Sequence, residues 1–160
     1  MANLSASVTL PHKGDLRPWS YGMVGYTDYQ AGSTVYTIYK GSPVFIDESD
    51  VDGYAQPFLS SLTATGTDVF LGVALEEKAV TSSDTAQGDV EIAVARAGVW
   101  GFPKASLTVT DIGAAIYADD SKVVTSTSTN NLWIGFLVDV DDTYAWIDIS
   151  GATSRVNSAT

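Results

Sequence analysis

The chain has 160 residues, 45% of them hydrophobic and 17% charged, with 8 basic against 19 acidic side chains and no cysteine. That length suits one domain, and the apolar share is enough to fill a core. The formal charge of -11 and the scatter of the few basic residues argue against a nucleic-acid partner, which needs clustered Lys and Arg. The missing cysteine removes disulfides, thiolate metal sites and Cys nucleophiles.

In chain order, residues 1–30 read as an N-terminal arm or as edge strands at "ASVTL" and "YGMVGY". This segment carries Trp19, Tyr21, Tyr26 and Tyr29. Such rings give large contact area, and they are the candidate interface residues of the chain. The competing reading is that they close the protein's own core. The start "MANLSASVTLPHKGDLRPW" has no basic stretch followed by an apolar run, so no ordinary secretory leader is expected. No apolar run is long enough to span a bilayer, so no membrane partner is expected.

Residues 31–150 read as the main β domain. "TVYTIY" alternates β-branched and aromatic residues, and "SPVFID" follows. Residues 48–68 are rich in turn formers and read as a long loop. Then come "VFLGVAL", "DVEIAVARAGVWGF", "LTVT", "AAIYAD", "KVVTST", "LWIGFLVDV" and "YAWIDIS". Short strands at this spacing predict an all-β fold, a small barrel or a sandwich. Residues 151–160 read as a polar tail.

The two halves repeat one pattern. "KGSPVFID" resembles "DIGAAIYAD": Gly41 and Gly113 are each followed four residues later by Phe45 or Tyr117, then by Asp47 or Asp119. "LGVALEE" corresponds to "IGFLVDV", and "DVEIAV" to "YAWIDI". A diverged internal duplication and convergent β composition both account for this. Gly72 and Gly135 sit inside strands, where an isolated Gly marks a bulge or a close backbone approach.

Catalytic equipment is sparse. The single His12 has no "GxSxG" partner motif, and one His without Cys cannot make the usual zinc site. Glu76 and Glu77, and Asp139, Asp141 and Asp142, read as solvated turns rather than a glycosidase pair. In "DESDVDGY", Glu48, Asp50 and Asp52 have calcium-loop spacing before Gly53, but Leu59 stands where a bidentate Glu is required. No nucleotide motif occurs. No metal, cofactor or enzymatic activity is expected. Trp19, Trp100, Trp133 and Trp146, with the tyrosines, supply either core packing or a sugar-stacking platform.

The elements Gly98-Val99-Trp100, Pro103-Lys104-Ala105, Gly113-Ala114 with Tyr117 and Asp119, the Thr-rich residues 124–129 and Ile134-Gly135 occur in a recurring order. This order resembles a family of small tailed-bacteriophage proteins, once labelled RecA/RadA-like phage recombinases and better described as capsid decoration proteins. The likeness covers about residues 33–150. It implies a β-barrel-like or β-tulip-like domain on the outer face of an icosahedral head. The implied protein is a homotrimer, made in the host cytoplasm, with the major capsid protein as partner. The alternative is a carbohydrate-binding or adhesive β module on a virion or bacterial surface.

Overall fold

A computed structural model describes residues 3–30, 32–48, 53–59 and 62–153, and the backbone of 155–156. The strands are β1 (His12–Lys13), β2 (Pro18–Gly22), β3 (Tyr36–Ile38), β4 (Pro43–Ile46), β5 (Gln56–Pro57), β6 (Val69–Ala74) and β7 (Lys78–Val80). They continue with β8 (Glu91–Ala95), β9 (Val99–Pro103), β10 (Ala115–Ala118), β11 (Val124–Thr125), β12 (Leu132–Val140), β13 (Tyr144–Asp148) and β14 (Arg155–Val156). The only helical element among the described residues is a 3-10 turn at Val109–Asp111. Alternation in sequence becomes alternation in burial: in β13, Ala145 and Ile147 are buried while Tyr144, Trp146 and Asp148 are half-buried.

The strands form three open antiparallel sheets. The first large sheet runs β2-β8-β6-β4-β5, with β14 also paired to β6. The second runs β1-β9-β13-β12-β10-β11, and β3 and β7 make a small two-stranded sheet. The expected barrel or tulip is therefore corrected: β2 and β5 end the first sheet, β1 and β11 end the second, and among the described residues no strand ladder joins these ends, only a single parallel bridge between Met23, after β2, and Ala55, before β5. Apolar surface is instead removed by packing sheet against sheet, so hydrogen-bonded closure is not needed to complete the core.

The two large sheets repeat one strand order. In the first it is β2-β8-β6-β4-β5, and in the second, inside the β1 edge, it is β9-β13-β12-β10-β11. The match extends to single residues. Val44 pairs with Gly72 and Ile116 with Gly135, and a bulge follows at once in both, before Phe45 and before Tyr117. Gly72 has φ +144° and Gly135 φ +153°. A Cβ would overlap the carbonyl oxygen of Ala95 at Gly72 and that of Asp148 at Gly135. Both positions therefore require glycine for conformation and for space.

Two cores result. One unites Phe45, Phe70 and Val73 of the first sheet with Ile116, Ile134 and Ile147 of the second. The other lies on the opposite face of the first sheet, where Val44, Leu71, Ile92 and Val94 pack with Ile38 and Val80 of the small sheet. Both faces of the first sheet are thus covered.

The described part of the expected N-terminal arm lies along its own chain. Val8 N–H donates to the Lys40 carbonyl at 3.0 Å, Leu10 is buried, and β1 and β2 edge the two large sheets. Beyond residue 150, Ala152 and Thr153 are buried, and the Thr153 hydroxyl donates to the Arg96 carbonyl at 2.6 Å.

Much of the acidity builds turns. The amides of Thr65, Thr81 and Thr108 donate to the carboxylates of Asp68, Asp84 and Asp111, each three residues on, at 2.7–2.8 Å. Ala86 and Asp89 repeat the device at 2.9 Å. A carboxylate is a strong acceptor for the otherwise unpaired amides of a turn.

Candidate interaction surface

The four candidate interface rings are placed very differently. Tyr29 is 2% exposed and stacks on Tyr36 with centroids 3.7 Å apart. The Tyr36 hydroxyl donates to the Val24 carbonyl at 2.6 Å; burial, with Tyr29 beside it, pushes this hydroxyl's pKa far up. Tyr21 and Tyr26 are half-buried against the outer core of the first sheet. Trp19 alone of the four is open, at 60% exposure.

Trp19 has a counterpart. It pairs with Val94 of β8, as Trp100 pairs with Ile147 of β13. Because Ala95 and Asp148 are the equivalent residues behind the two glycines, Trp19 and Trp100 hold equivalent places. Trp100 is 3% exposed. It is covered by β1: His12 pairs with Trp100, and its ring lies 4.6 Å from the indole, tilted by 31°. His12 Nδ1 lies 3.2 Å from the Leu10 carbonyl oxygen, so this histidine serves as a lid over an indole. Nothing in the sequence pattern distinguishes the covered tryptophan from the open one.

A second open area lies on β12 and the 3-10 turn. Val73 of the first sheet is fully buried, while its equivalent in the second, Phe136, is 44% exposed. Val138, Val109 and Ile112 are exposed large apolar residues too. Gly113 N–H donates to the Leu137 carbonyl at 2.8 Å, and Leu137 N–H to the Ala114 carbonyl at 3.0 Å, which ties residues 109–114 beside β12. Phe136 rests edge-on against Trp133, with centroids 5.6 Å apart. The back of the second sheet thus presents an apolar patch whose counterpart on the first sheet is buried in the core. Sequence alternation over the bulged β12 did not reveal it, because the bulge shifts which residues face out.

The remaining aromatic pair is partly shielded. Tyr144 and Trp146 meet edge to face at 5.9 Å; Trp146 Nε1–H donates to Asp141 at 2.9 Å, and the Lys13 ammonium lies 5.0 Å from the Trp146 ring. Asp141 also accepts the amides of Thr143 and Tyr144. The Trp146 bond first, and then these amides, hold its carboxyl below the usual range. Asp68 is shifted the other way: burial pushes its carboxyl up, against the pull of the amides of Thr65 and Glu48.

These carboxylates close turns rather than face a common cleft. Among the described residues no group of three or more His, Cys, Asp or Glu side chains stands where it could hold a metal. Of the calcium-spaced residues, Asp50 and Asp52 lie outside the described residues. The chain has no cysteine to serve as a nucleophile, and this set of groups is consistent with a structural, non-enzymatic domain. Among the described residues no helix is long and apolar enough to cross a membrane.

Residues 79–145, from β7 into β13, match the family model described as phage cement protein. The match is narrower than the span of the decoration-protein resemblance, and it contains Val109, Ile112, Phe136 and Val138. It is consistent with a phage structural family and a virion role. No curated protein and no solved structure matches the chain.

Proposed function

We propose that this protein binds the outer surface of a tailed-phage capsid and stabilises or decorates the head, with the major capsid protein as partner and three copies at each site. The observation that carries the reading is the coincidence of the cement-protein match with the open apolar patch of β12 and the 3-10 turn. A decoration protein works by contact, not turnover. Each large apolar side chain buried at such a joint contributes about 1.5–3 kcal/mol before ordering costs. The number three comes from the resemblance.

The net charge of -11 fits a shell surface with basic residues, since complementary charge speeds encounter. The second reading, a glycan-binding or adhesive module, draws on the open Trp19 ring alone. The edge-to-face Tyr144–Trp146 pair offers no flat platform for a sugar.

The test is co-sedimentation with empty heads of the encoding phage, together with mass measurement of the free and bound protein. The expected result is saturable binding that Phe136→Asp weakens. Protein that stays in the supernatant at every concentration would refute the reading.

A further inference from the structure

The two large sheets end differently at equivalent strands. On β9, the outward amide of Gly101 donates to the Pro11 carbonyl at 2.9 Å, and β1 then runs antiparallel along the strand with His12 over Trp100. The equivalent of Gly101 on β2 is Ser20, which pairs with Ala93 as Gly101 pairs with Trp146. Met23 N–H donates to the Val90 carbonyl, so by antiparallel alternation Tyr21 and Trp19 turn their backbone groups toward β8. The amide and carbonyl of Ser20 and the carbonyl of Pro18 therefore point outward, and among the described residues no neighbouring strand lies beyond them. Trp19 stands on the core face of this edge beside buried Val94, yet is open to solvent. Pro18, Trp19, Ser20 and Ala93 line a shallow depression there.

We propose that this edge is completed in trans by a short extended segment of the capsid protein, running antiparallel to Pro18–Ser20 with a flat side chain laid on Trp19. The proposal rests on the decoration reading above. The chain itself shows what fits such an edge: an extended segment that accepts one amide bond and sets a planar ring on the indole. A second copy fits poorly. Ala55 N–H donates to the Gly22 carbonyl at 2.8 Å, and Met23 and Ala55 form a parallel bridge, so the edge is occupied beyond Tyr21. A β2–β2 pairing centred on Ser20 would place Pro18 of the second copy in that occupied space. The second copy's own β1 is already engaged on its Trp100. Among the described residues, what remains is a three-residue edge suited to a loop or tail of another protein, bound by main-chain hydrogen bonds and one ring pocket.

The test uses the full chain, free and bound to empty heads of the encoding phage, with hydrogen exchange read by mass spectrometry and occupancy read by sedimentation. Trp19→Ser removes the ring, and Ser20→Pro removes the outward amide at a place where a strand edge tolerates proline. The expected result is slowed exchange at residues 17–22 on the heads and about tenfold weaker binding for either variant, with unchanged melting of the free protein. Wild-type protein that binds heads while residues 17–22 exchange as in the free state, with both variants binding normally, overturns this proposal and leaves the decoration reading intact. Wild-type protein that does not bind heads overturns both. A concentration-dependent dimer of the free chain that Trp19→Ser abolishes would give the edge to a second copy and overturn the capsid segment.

Discussion

The first large sheet is covered on both faces, and the second leaves Phe136 and Val138 of β12 open on its back. Their strand order, bulges and glycines coincide, yet Val73 is sealed where Phe136 is open, and Trp100 is sealed where Trp19 is open. The backbone plan is shared, and the cover is not. Equivalent positions thus serve stability in one sheet and are available for contact in the other. The lesson is that a residue's place within its strand does not decide its duty; the next layer does.

The largest losses are expected at the sealed positions. Trp100→Ala should cost about 3–5 kcal/mol in denaturant unfolding of the free protein, while Trp19→Ala should stay within about 0.5 kcal/mol. Equal losses would show that the two edges are not differently covered. Removing residues 2–13 should act like Trp100→Ala, because it strips β1 and the His12 lid from the same indole.

The glycines come next. Gly72→Ala and Gly135→Ala should each lower stability by about 2–3 kcal/mol, because the backbone is strained for any other residue and a carbonyl occupies the Cβ position. Losses at one site and none at the other, measured by thermal melting, would break the correspondence of the two bulges.

At the open patch the two sheets should respond differently to truncation. Val73→Ala should cost about 1.5–3 kcal/mol as a core truncation. Phe136→Ala should cost about 1 kcal/mol or less in the free protein, yet reduce occupancy on heads. A Phe136 variant that melts far below wild type while binding heads normally would make the patch structural.

The smallest effect is electrostatic. Burial raises the Asp68 carboxyl above its unfolded value, so the folded state takes up a proton more readily than the unfolded one. Its ionised form is the costly one, and stability is gained as pH falls from above the folded pKa toward the ordinary carboxyl range. Asp141, held low, gives the opposite sign: its contribution is present above the ordinary value and is lost as pH falls through the folded pKa. Melting temperature followed from neutral to mildly acid pH should therefore rise for wild type relative to Asp68→Asn. A fall would contradict the burial of that carboxyl.

Much of the plan is written locally. The alternation in "DVEIAV" and "YAWID" specifies strands, because a half-buried strand requires period two. Gly72 and Gly135 announce bulges, because only glycine holds those angles against a neighbouring carbonyl. The repeated pattern of the two halves reappears as a repeated strand order. The sequence alone also removed thiol chemistry. Tertiary structure decided the rest. Whether sheets close depends on pairings between strands far apart in the chain, and here the ends stay open. Which of two equivalent tryptophans is buried depends on where residues 10–13 are laid, and they lie on Trp100. Which back face meets solvent depends on the layer packed against it. Such choices are set by long-range burial, which leaves no mark in the local order of residues.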